Sequence, residues 1–185
     1  MFKKALLLLS TLALSAPVNA AEMLPADHAS LYQAIQEVGS YTYINPGPIC
    51  GKEGHPNGMY TWNNQQETAL IVCQDNATNE TEVSWTENDL DTLRHEAWHI
   101  IQDCHSGIRG DAELAPMEYT PAYVRELIQV AEAAMGPGKV EHIIRNYSAN
   151  GLSHRDVTME VEAFTAAAIL SASDIETALR NACTL

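Results

Sequence analysis

Residues 86–105 read TENDLDTLRHEAWHIIQDCH. Leu90, Leu93, Ala97, Ile100, Ile101 and Cys104 recur at the three-and-four spacing of one face of an α-helix. Thr86 is an N-cap residue with Asp89 three positions on. Trp85 and Leu90 stand where a hydrophobic staple would close. The pattern predicts a helix over 87–104. His95 and His99 lie opposite the apolar stripe, on a face that also carries Asp91, Gln102 and Asp103. One side suits a core and the other a polar cleft.

Upstream of this helix the period is nearer two. Residues 41–45 (YTYIN) suit a short strand. Residues 59–62 and 67–74 read as two more, joined by Asn63-Asn64-Gln65-Gln66. Ala69-Leu70-Ile71-Val72-Cys73 is the most strand-like run in the chain. A short amphipathic helix over 28–38 ends at Gly39. Residues 46–58, rich in Gly and Pro, read as loop. Downstream, Thr120-Pro121 opens a helix that Gly136-Pro137-Gly138 closes. A shorter helix follows over 139–147. Ser153, with Asp156 three on, caps another over 154–170, and 174–182 suits a last turn or two. No repeat, linker or low-complexity tract interrupts the order. It predicts an α+β fold, a small β-rich N-terminal part packed on a helical part.

The chain has 185 residues, enough for one ordinary domain. Its start, MFKKALLLLSTLALSAPVNA, has a basic pair, a short apolar run and small residues at its end. That is the form of a secretory signal peptide, 1–20, cleaved after Ala20. The apolar run is too short to remain as a membrane span. A domain over 21–185 is left, secreted or periplasmic. Removing Lys3 and Lys4 from the 10 basic residues leaves 8 against 24 acidic ones, a net of −16. So acidic a surface repels phosphate backbones and anionic lipid, which argues against nucleic acid and against a membrane after signal cleavage. The sequons at Asn76, Asn79 and Asn146 would matter only in a eukaryotic secretory path. Four cysteines in an exported chain predict two disulfides, Cys50–Cys73 and Cys104–Cys183.

The chemistry lies in His95-Glu96-Ala97-Trp98-His99, an H-E-x-x-H pattern. Two imidazoles at i and i+4 share one helix face and can reach a single ion at about 2.0–2.1 Å. Glu96 lies about 100° around the helix, beside the ion, where a carboxylate can take a proton from water. With 7 His in the chain, random order gives about 0.02 such patterns. Zinc would need a third ligand. His105 stands six residues after His99, but a helix continuing through Gln102 carries it about 240° round, off the metal face. The alternative is a carboxylate within Met159-Glu160-Val161-Glu162-Ala163-Phe164, on a second helix crossing the first, with Ala163 small enough for close approach.

The H-E-x-x-H pattern, followed about sixty residues later by a helical Glu-x-Glu-Ala segment, resembles the gluzincin class of zinc metallopeptidases. The resemblance implies a Glu ligand from the downstream helix, often in Glu-x-x-Ala. Glu160-Val161-Glu162-Ala163 fits with Glu160 as ligand beside His95 and His99. Glu162-Ala163-Phe164 is similar to an Asn-Glu-Gly-Phe form, which would make Glu162 the ligand. Members usually place an Asp or Asn after the Glu ligand to orient a His. Position 164 is Phe, so that contact must come from elsewhere. The resemblance further implies Zn2+, Glu96 as general base, and peptide or protein substrates taken up along a strand edge, here 67–74. Tyr147, His142, His154 and Arg155 are candidates for holding the oxyanion. The competing expectations are an exported non-enzymatic domain with a structural zinc or no metal, and a metal-dependent hydrolase acting on a non-peptide amide.

Overall fold

The computed structural model describes residues 23–51, 54–77, 83–111 and 113–183. The expected signal peptide, 1–20, and the sequon at Asn79 lie outside the described residues. In chain order the elements are α1 (Ala26–Glu37), β1 (Ser40–Ile44), a helical turn α2 (Gly47–Cys50), β2 (Gly58–Trp62) and β3 (Thr68–Val72). The long α3 (Glu87–Ser106), α4 (Pro121–Met135), α5 (Pro137–Ala149), α6 (His154–Ile169) and α7 (Ala172–Ala182) follow. The architecture is α+β, with the small N-terminal sheet packed on the helical part.

Ala69-Leu70-Ile71-Val72 is apolar on both faces, and β3 is buried along its whole length. Such a strand belongs in the middle of a sheet. The strand order is β1-β3-β2, with β1 parallel to β3 and β2 antiparallel to it. Leu70 lies opposite Thr42 on one side and Tyr60 on the other. Asn63 makes the hairpin between β2 and β3. Its side-chain oxygen accepts the backbone N–H groups of Gln65 at 2.9 Å and Glu67 at 3.0 Å, and Gln66 adopts a positive φ of 63°. Two sequence expectations are corrected here. Residues 67–74 offer no free strand edge, because β1 covers the side that β2 leaves open. Within the segment expected as loop, Pro48 starts a helical turn, Gly47–Cys50.

The helices expected from Thr86 and Ser153 begin at those caps, and α7 is capped at Ser171, ahead of the expected 174. Thr86 with Asp89, Ser153 with Asp156 and Ser171 with Asp174 each form a reciprocal capping box. Leu93, Ala97, Ile100 and Ile101 of α3 join Leu31 and Ile35 of α1, Leu70 and Val72 of β3, and Ile175 and Leu179 of α7 in one core. A second core forms among α4, α5 and α6 around Leu127, Val140, Ile143 and Val161. Helix α6 packs against α3 on one side and α4 on the other, and its Ala163 is fully buried. The disulfides are Cys50–Cys73 and Cys104–Cys183, the expected pairs. Among the described residues no helix is long and apolar enough to cross a membrane.

Candidate metal centre

Helix α3 puts His95 and His99 one turn apart, and their Nε2 atoms are 3.1 Å from each other. Helix α6 crosses α3 and delivers Glu160, whose Oε2 lies 3.6 Å from His95 Nε2 and 3.7 Å from His99 Nε2. Ligand atoms around a tetrahedral ion with bonds of 2.0–2.1 Å stand about 3.3 Å apart. The observed triangle brackets that separation. Glu160 Oε2 is buried with no hydrogen-bond partner, although it faces two imidazole nitrogens. Its distances to them are too long for hydrogen bonds and right for a shared cation. This group could hold a metal ion.

Electrostatics point the same way. Burial pushes the His99 imidazole toward neutrality, but the Glu160 and Glu96 carboxylates and the Gln102 side-chain oxygen outweigh it, and its pKa is pushed up to about 9. Burial alone would raise the Glu160 carboxyl, yet the two imidazoles bring it well below the usual carboxylate range. Burial raises the Glu96 carboxyl, opposed by His95, His99 and the backbone N–H of Tyr60. The pocket therefore draws positive charge, and a proton on His99 takes that place when no metal does.

Each imidazole is oriented differently. His99 Nδ1 lies 2.7 Å from the Gln102 side-chain oxygen. That carbonyl can only accept, which puts the proton on Nδ1 and leaves the Nε2 lone pair for a metal. Gln102 cannot turn over, because its amide donates to Glu162 at 2.6 Å and to the Met159 carbonyl at 3.0 Å. His95 Nδ1 is buried without a partner, and its ring is held by Phe164 with centroids 4.2 Å apart.

Glu162 is spent elsewhere. It accepts from Gln102, from the Met117 backbone at 3.1 Å, from the Tyr123 hydroxyl and, at 3.4 Å, from the Trp98 indole. It fastens α6 to α3 and α4 and turns no oxygen to the ion site. His105 is exposed on the last turn of α3. Gln102 and Asp103, read from the sequence as lining a cleft, are both 0% exposed. Asp103 accepts the Tyr60 hydroxyl at 2.5 Å and the Gly110 backbone N–H at 2.9 Å, tying β2 to α3.

Strand β2 lies over Glu96. A Cβ at Gly58 would meet Thr92 Cγ2 at 2.5 Å and Glu96 Oε1 at 2.8 Å, so only glycine allows this approach. Two cavities open beside this approach, of about 370 Å³ and 260 Å³. Gly58, His95, Glu96 and Tyr147 line both. Burial, with the Glu160 and Glu96 carboxylates nearby, raises the Tyr147 phenol and keeps it a proton donor. His142, His154 and Arg155 are exposed and line neither cavity.

Sequence reasoning missed Gln102 as the residue that orients His99, Glu162 as a structural anchor, and Gly58. Gln102 stands three positions after His99, a same-face helical neighbour, which was a usable signal. Nothing local marked Gly58. No protein-family model, curated protein or solved structure matches the chain.

Proposed function

We propose that this protein is an exported zinc-dependent peptidase that hydrolyses peptide bonds with Glu96 as general base. The observation that carries the reading is the convergence of His95, His99 and Glu160 on one point that also faces Glu96 and two open cavities. Two imidazoles and one carboxylate are a ligand set suited to zinc, and three protein ligands leave a position open. Zinc held there would polarise the substrate carbonyl and lower the pKa of water to about 7. Glu96 takes a proton from the attacking water and passes it to the leaving amine, and its buried carboxyl has the raised proton affinity that task needs. Tyr147 donates its hydroxyl proton as a hydrogen bond to the developing oxyanion.

Strand β2 is paired on one side only among the described residues, and its Gly58, Met59, Tyr60 and Trp62 line the cavities. An extended peptide added there would bring its backbone across Glu96. Two disulfides support export, where thiols oxidise. A structural zinc is less well supported. Such a site closes with four protein ligands and has no use for a buried Glu96 beside open space.

In Glu96→Gln the ligand set is untouched and the base is gone. The variant should bind one zinc per chain and lose peptide hydrolysis by more than about a hundredfold. Metal analysis and a peptide-cleavage assay on the same sample decide it. Undiminished cleavage sinks the mechanism, and protein without stoichiometric zinc sinks the metal site.

A further inference from the structure

The two cavities share the wall formed by Gly58, His95, Glu96 and Tyr147, and beyond it their chemistry differs. Beside the ligands His99 and Glu160 and the Tyr60 ring, the smaller continues past Met59, Trp62, Leu114 and Met159, whose side chains are largely apolar. The larger has Phe164, Ala167 and Ala168 on one wall and continues past His55, Pro56 and Asn57 to Asp91 and Lys139. Asp91 is ion-paired with Arg94 and adds little net charge. Among the described residues Lys139 is the one Lys or Arg lining either cavity, and no ion pair engages it. It stands in the first turn of α5, whose N-terminal dipole adds in the same sense.

Strand polarity orders these subsites along a peptide. Strand β2 runs from Gly58 toward Trp62, and residues 55–57 precede it. Antiparallel pairing is the commoner and slightly more stable mode. A peptide paired that way has its amino side toward Trp62 and its carboxyl side toward Asn57 and Lys139. We propose that the cleft selects an apolar side chain before the cleaved bond and a carboxylate after it, bound by Lys139. This rests on the peptidase reading. The carboxylate is either an acidic side chain or the C-terminus of the peptide.

The chain's net charge of −14 opposes an anionic substrate. That repulsion is screened beyond about 8 Å at physiological ionic strength. Contact with Lys139 is shorter, and a charge-assisted hydrogen bond there prevails.

The test uses zinc-loaded Glu96→Gln protein for binding and wild type for cleavage. The probes are blocked peptides with Leu before the bond and Glu or Gln after it, and a second pair ending in a free carboxylate or an amide. Each comparison is repeated in Lys139→Met and Lys139→Arg. We expect the carboxylate member of one pair to bind and react about tenfold better. The ratio should fall to about one in Lys139→Met and survive in Lys139→Arg. The pair that responds identifies the carboxylate. Cleavage without carboxylate preference, or a preference that survives Lys139→Met, overturns the proposal and leaves the peptidase reading standing. Carboxylate-dependent binding, lost in Lys139→Met, with no cleavage by wild type overturns the peptidase reading and the cleavage-site assignment with it, and leaves only the carboxylate contact of Lys139. Neither binding nor cleavage of any probe overturns both.

Discussion

At the scale of single residues, the metal centre depends on a proton and an amide. Because the folded-state pKa of His99 is raised to about 9, metal-free protein binds a proton there at neutral pH. That proton stabilises the metal-free fold fully below the unfolded value of about 6.5, and the contribution is lost as pH rises through about 9. A metal must displace it. Apparent zinc affinity should therefore climb about tenfold per pH unit and level off near pH 9, while Glu160 stays ionised throughout. Chelator competition from about pH 6 to about pH 10 reads this directly. A plateau near 6.5 would mean that the carboxylates do not act on His99 as their positions imply. The amide is that of Gln102. Gln102→Leu removes the acceptor that fixes the His99 tautomer and should weaken zinc binding by about 10–100-fold. Affinity within twofold of wild type would assign the orientation of His99 to packing instead.

At the scale of elements, α3 and β2 form the site together, and the sequence reveals them unequally. Helix α3 is legible because its cap, stripe and polar face all obey one period, and an i,i+4 pair of ligands is a local feature. The Glu160 crossing is half legible. Helix α6 announces itself through Ser153 and its apolar positions, but which carboxylate points at α3 depends on a rotation that spacing alone does not fix. What separates Glu160 from Glu162 is that Met117, Tyr123, Trp98 and Gln102 already saturate the latter, and all four are remote in sequence. Pairing of β1 with β3 is not legible either, since a parallel partner is chosen across a crossover. That is why 67–74 was expected to be an edge when β2 is the edge beside Glu96. The closeness of β2 to α3 carries its own prediction. In Gly58→Ala the new methyl collides with Thr92 and the Glu96 carboxylate, while His95, His99 and Glu160 keep their places. Turnover should drop about a hundredfold through misplacement of the base, with zinc content preserved. Parallel loss of zinc would show instead that β2 supports the ligands.

For the whole molecule, the two disulfides divide stability from function. Cys104–Cys183 fastens the end of α3 to the end of α7 across 79 residues, and Cys50–Cys73 closes a loop across 23. In the chain-entropy account these are worth about 4.5 and about 3.4 kcal/mol against the unfolded state. Stability alone makes the longer tether the more important. Their surroundings reverse the order for activity. The longer one lies at the edge of the core among α1, α3 and α7, with Cys104 and Cys183 packed on that core, away from the cavities. The shorter one anchors the segment from α2 to β2, which supplies His55, Pro56, Asn57 and Gly58 to the larger cavity. Apart from it, among the described residues the Asn57 carbonyl accepts the Cys73 backbone N–H at 2.7 Å, and Gly58 pairs with Val72 of β3. Paired serine replacement of Cys104 and Cys183 should therefore give the larger fall in unfolding free energy and, below its transition, near-normal turnover. Paired replacement of Cys50 and Cys73 should lose less stability and raise KM, because the segment before β2 that meets the substrate then loses its covalent tether to the end of β3. Denaturant unfolding and peptide kinetics on both double variants check the crossing. If the variant lacking Cys50 and Cys73 keeps its KM, the wall is positioned by β2 alone and the short disulfide is only a clasp on the sheet.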